Sequence, residues 1–84
     1  MALTTTEIKN KASTVTPHRR EGCFIINPPI AIKNLDLSGT SPSIKKGEIV
    51  HADMLDESGD HPNTVHLVEK GLWWNINHFE LVGS

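Results

Sequence analysis

Residues 64–82 read Thr-Val-His-Leu-Val-Glu-Lys-Gly-Leu-Trp-Trp-Asn-Ile-Asn-His-Phe-Glu-Leu-Val, a stretch that holds both tryptophans and one of the two phenylalanines of the chain. Val65 and Leu67 alternate with His66, Lys70-Gly71 breaks the run, and Phe79-Glu80-Leu81-Val82 resumes it after a polar step. Side chains of a strand alternate between its two faces, so a period of two punctuated by glycine reads as short strands folding back on one another. A chain of 84 residues has room for a single core. This end therefore dictates a small sheet.

The same period recurs upstream. Cys23-Phe24-Ile25-Ile26 is β-branched and aromatic and reads as a buried strand, stopped by Asn27-Pro28-Pro29; two successive prolines cannot donate to a central ladder, so this segment reads as an extended polyproline-like crossing or a sheet edge. Ile30 and Ile32 share one face of the next strand, with Ala31 and Lys33 on the other. Residues 36–46 form a loop by composition. In the strand Ile49 to Met54, Val50, Ala52 and Met54 make the more apolar face, and Val50 and Ala52 are expected inside. A turn-rich acidic loop follows, from Asp56 to Asn63, and Asn75 to His78 is expected to make one helical turn.

Residues 1–20 carry Leu3, Ile8, Ala12 and Val15 at near-helical spacing, but so short a threonine-rich helix is marginal in isolation. The reading is a flexible N-terminal arm over residues 1–20 and one domain over residues 21–84. Five or six strands of four to seven residues, separated by Gly, Pro and Asp, predict an all-β fold, a small antiparallel barrel.

Net charge is −2, which gives no global attraction to nucleic acid or to an anionic membrane. The charge is unevenly placed. From Met1 to Lys46 seven basic residues face three acidic ones, whereas from Gly47 to Ser84 one basic residue faces seven acidic ones. The acidic half would repel a phosphate backbone. Cys23 is the single cysteine, so an internal disulfide and a thiolate metal cage are excluded, and a reducing cytoplasm is the expected setting. The start, Met-Ala-Leu-Thr-Thr-Thr-Glu, lacks the basic flank and apolar stretch of a signal peptide.

Ile44-Lys45-Lys46-Gly47-Glu48-Ile49-Val50 resembles the lysine-glycine-acid-apolar entry into the second strand of Src-homology-3-like barrels. The Gly71-Leu72-Trp73-Trp74 turn and the Phe79-Glu80-Leu81-Val82 exit strand continue the resemblance, which covers Pro42 to Val82, about half the chain. It implies a short helical turn at Asn75 to His78 and a kinship with small proteins encoded by bacteriophage and bacterial open reading frames. Ile30 to Leu35 has no aromatic residue and the chain no tyrosine, so the resemblance does not extend to the ring-lined groove that takes proline-rich peptides.

Adjacent Trp73 and Trp74 must point to opposite faces of a strand, one into the core and one outward. An outward tryptophan is the residue type most enriched at binding hot spots. With His78 and the acidic residues Asp53, Asp56, Glu57 and Asp60, either ring would give a docking surface for another protein, as in an adaptor or inhibitor of a host protein. The alternative is nucleic-acid binding, with Arg19, Arg20, Lys33, Lys45 and Lys46 gathered into one basic patch beside a tryptophan platform. No residue set points to catalysis, a metal or a cofactor. Cys23 sits in the most apolar run, where a thiol is inert, and the histidines have no ligand spacing.

Overall fold

The computed structural model describes residues 2–35, 44–58 and 63–83. Among these residues are one short helix, α1 (Thr5–Lys11), and six strands: β1 (Thr14–His18), β2 (Arg20–Asn34), β3 (Ile49–Asp56), β4 (Thr64–Leu67), β5 (Leu72–Asn75) and β6 (Phe79–Leu81). A 3-10 turn at Ile76–His78 joins β5 to β6, where the sequence predicts a helical turn. Every pairing is antiparallel, in the order β1-β2-β3-β4-β5, with β6 beside the second half of β2. The expected all-β architecture is thus present. Among the described residues β1 and β5 do not pair, so the sheet stays open between them.

A straight strand of 15 residues would run about 50 Å at 3.3 Å per residue, against a longest molecular extent of 31 Å. β2 must therefore bend. The bend falls at Asn27-Pro28-Pro29, where the Asn27–Pro28 bond is cis and the register with β3 shifts between Ile25↔Met54 and Ile30↔Ala52. The sequence reading stops the strand at these prolines with an extended crossing or sheet edge, whereas the structure carries one extended strand through them. None of residues 26–29 takes part in the β3 ladder, the place where proline's missing N–H would be felt.

Asp53 is the matching irregularity in β3. Its ladder to β4 passes from Ala52↔Leu67 to Met54↔His66, so two β3 residues are accommodated where β4 advances by one. This is a bulge, and it changes the phase of the strand. Val50 and Ala52 point into the core as expected, but beyond Asp53 the buried residue is Leu55. Met54 sits with Asp53 on the outer face.

Residues 2–20 are built into the domain where the sequence reading has a flexible arm. The Thr4 hydroxyl accepts the Glu7 N–H at 3.1 Å, and the Glu7 carboxylate accepts the Thr4 N–H at 3.0 Å. This reciprocal capping box satisfies two donors of the first helical turn. Leu3, just before the cap, and Ile8, one turn in, hold the hydrophobic-staple positions, and both lie in the core. Burial supplies what a seven-residue helix lacks in propensity. Lys9 ties the outside of α1 down, 2.8 Å from Glu57 and over the Phe24 ring.

Phe79, Ile8, Ile26, Leu55 and Val65 are among the side chains fully enclosed in the core. Asn34 is its one buried polar residue among those described, and its amide donates to the carbonyls of Ile44 and Lys45 at 3.3 and 3.0 Å, fastening residues 44–47 to the end of β2. At Gly22, φ is +85° and an added Cβ would lie 2.7 Å from Ser58 Cβ, so only glycine lets the segment after β3 close on β2 there.

Three surface carboxyls titrate below the usual 4.5. Glu48 accepts the Lys45 N–H and pairs with Lys70, and Glu80 pairs with Lys33. For Glu69 burial acts to raise the value, but the His51 ring and backbone N–H together outweigh it. A carboxyl with a depressed folded-state pKa stabilises the fold above its unfolded value, and that contribution is lost as pH falls through the folded value. The urea midpoint is therefore expected to be level around neutrality and to decline below about pH 4.5. Glu48→Gln combined with Glu80→Gln should flatten that decline, and an unchanged acid limb would show that these pairs contribute nothing.

Candidate interaction face

Strand pairing settles which tryptophan faces outward. Trp74 lies opposite buried Val65 and packs on the core, while Trp73 lies opposite His66 and is 39% exposed. The Lys70-Gly71 turn, with Gly71 N–H donating to Leu67 C=O at 2.8 Å, sets this register. The outer face then carries, in one row from β1 to β5, Thr16, Ile25, Met54, His66 and Trp73. Ile25 is also exposed at 36%.

Trp73 is held in place. Its ring meets that of His66 edge-to-face, with centroids 5.3 Å apart at 65°. His66 Nδ1–H in turn donates to the Asp53 carboxylate at 2.7 Å, an acceptor-only group that fixes the tautomer. The bulge makes this possible, because it turns Asp53 out beside Met54 and next to β4. In front of the indole is a cleft of about 370 Å³ lined by His18, Arg19, Cys23, Met54 and Trp73. Met54 and the largely buried Cys23 give it an apolar lining, and Arg19, at the β1–β2 turn, is exposed.

Of the residues expected to bind a protein partner, Trp73 and Asp53 come together. Trp74 and His78 form a separate pair on the other side of β5, with ring centroids 5.6 Å apart. The acidic residues are engaged internally: Asp56 accepts the Ser58 N–H at 2.8 Å and Glu57 is paired with Lys9. Asp60 lies outside the described residues. The two rings face opposite ways, as adjacent strand residues must, so the outward Trp73 has Asp53 on its side of β5 while His78 lies with Trp74.

The basic residues do not gather either. Lys33 pairs with Glu80 at 2.8 Å, and exposed Lys45 and Lys46 adjoin the same end of β2. Arg19 and the backbone of Arg20 lie at the other end, beyond Cys23. Lys33 pairs with Ile49 and Cys23 with Asp56, so seven β3 steps, about 23 Å along the strand, separate the two groups.

His66, Met54, Cys23 and His18 are absent from the expected binding set. His66 was legible, since β4 alternation turns it outward and the β4–β5 turn places it opposite Trp73. Met54 and the cleft depend on the bulge and on the β1–β2 hairpin. Among the described residues no three His, Cys, Asp or Glu side chains come together to hold a metal ion, and no helix is long and apolar enough to cross a membrane. Compared with family models, with curated proteins and with solved structures, the chain matches none.

Proposed function

We propose that this chain is a non-catalytic interaction module that docks on another protein through the outer sheet face at Trp73. The observation that carries the reading is the exposed indole itself, pinned by His66 and Asp53 while its neighbour Trp74 serves the core. A large aromatic side chain already fixed in one orientation loses little freedom on binding, which is what makes tryptophan an effective anchor.

The strand connectivity supports a Src-homology-3-like architecture. β2 lies between β3 and β6, β3 to β5 follow as a meander, and a 3-10 turn precedes the last strand. With the sequence resemblance to small phage and bacterial proteins, this favours an adaptor or inhibitor of a host protein working in the cytoplasm.

Affinity capture from the native cell with the wild type and with Trp73→Ala tests the proposal. One partner is expected to be lost with the variant, its affinity reduced about 30-fold, the equivalent of a 2 kcal/mol hot spot. The variant should keep the wild-type circular dichroism, since the ring is outside the core. Equal capture by both proteins would overturn the docking role of this face.

A further inference from the structure

Arg19 is placed where the backbone favours a different residue. His18 pairs with Arg20, so Arg19 alone makes the β1–β2 turn, at φ 65°. That is the left-handed region, which glycine enters freely and a side chain disfavours. Its side chain lines the cleft opposite Trp73, and among the described residues neither Arg19 nor His18 makes an ion pair. Three nearby acids are engaged already, Asp53 with His66, Asp56 with Ser58 and Glu57 with Lys9, and exposed Glu21 makes no ion pair with Arg19.

These facts constrain what can fill the cleft. An occupant that covers Arg19 removes a guanidinium from water, which is costly unless the occupant brings an anion. A carboxylate matches the guanidinium fork with two parallel hydrogen bonds. An occupant must also cover Met54 and lie against the Trp73 indole, which calls for an apolar or aromatic group. At about 370 Å³ the cleft is near the small end of ligand sites, enough for a few side chains. A polyanion is disfavoured by the carboxylates of Asp53, Asp56 and Glu57, whereas one carboxylate on a peptide is not.

Resting on the docking role of the Trp73 face, we infer that the cleft takes an acidic-apolar peptide segment of a partner protein, its Asp or Glu on Arg19 and His18 and its apolar side chain against Trp73 and Met54. The strained Arg19 is then retained for its side chain, at the expense of the turn.

The test is to pan a random peptide library on the full chain, then titrate enriched peptides against wild type, Arg19→Gly and Trp73→Ala. Enriched sequences are expected to carry Asp or Glu near Leu, Phe or Trp. Trp73→Ala should weaken binding about 30-fold. Arg19→Gly should weaken it about tenfold while leaving the thermal midpoint unchanged or higher, because glycine relieves the turn. Peptides that need Trp73 but have no acid, or bind Arg19→Gly as well as wild type, overturn the acidic specificity and leave the docking face standing. A lowered midpoint for Arg19→Gly also overturns it, by making Arg19 structural. No enrichment, or enrichment indifferent to Trp73, overturns both readings. Displacement of the peptides by a single-stranded oligonucleotide with a steep salt dependence overturns both in favour of nucleic acid.

Discussion

Alanine at Phe79 is expected to remove about 3–5 kcal/mol of stability, a large share of the roughly 4–13 kcal/mol typical for a chain of this size. The ring is fully enclosed at the start of β6, and this residue does more than fill space. It pairs with Asn34 at the end of β2, and its carbonyl accepts the Leu3 N–H at 2.7 Å. Three parts of the chain meet around it: the approach to α1, the second half of β2, and the last strand. Their backbones are fixed by one another, so the space left by the ring cannot close cheaply. Urea unfolding followed by tryptophan fluorescence measures the loss, and a value under about 1 kcal/mol would show that the ring is not in a packed core.

Ile8→Ala is expected to be nearly as damaging, at about 2–5 kcal/mol. This experiment separates an integrated helix from a loose arm. Were residues 1–20 an arm, the substitution would fall within the roughly ±0.5 kcal/mol of an ordinary surface change. The side chain is fully buried, one turn into α1, in the core that also holds Leu3 and Phe79. Thr4→Ala should bring a smaller loss of about 1 kcal/mol by opening the capping box. Loss of both effects together would return the N-terminal segment to the solvent.

The alternation in the second half of the chain was sufficient to orient Val50, Ala52, Val65 and Leu67 inward and His66 outward, because a regular ladder leaves a side chain only two directions. It was also sufficient to say that Trp73 and Trp74 diverge. Which of them faces out depended on pairing, since Trp74 is inward only through its register with Val65. The helix was legible in principle: Thr4-Thr5-Thr6-Glu7 has the spacing of a capping box, with Leu3 and Ile8 at the staple positions. Summed propensity hid it, because threonine is a poor helix former whatever its role at the cap. Thr14-Val15-Thr16 likewise has β-branched composition, but nothing local reveals that β2 is long enough to receive it. The interruption at Asn27-Pro28-Pro29 was legible in the two prolines, though not that β2 continues beyond it, and the departure at Asp53 was not legible, since a bulge belongs to a pair of strands and neither strand signals it alone. The candidate site depends on the bulge and on the β1–β2 hairpin, which is why Trp73, Asp53 and an outward His66 were legible while Met54, Cys23 and His18 were not.

The surplus residue at position 53 decides where β3 can tolerate a change of length. Elsewhere in β3, losing or gaining one amino acid would exchange inside for outside along everything that follows, and the molecule would not survive it. Position 53 is different, because removing it would only restore an even ladder with β4, leaving Val50, Ala52 and Leu55 inward. The anchor beneath the indole is therefore separable from the framework: deleting Asp53 would free the His66 ring and the Trp73 indole above it while the scaffold persists.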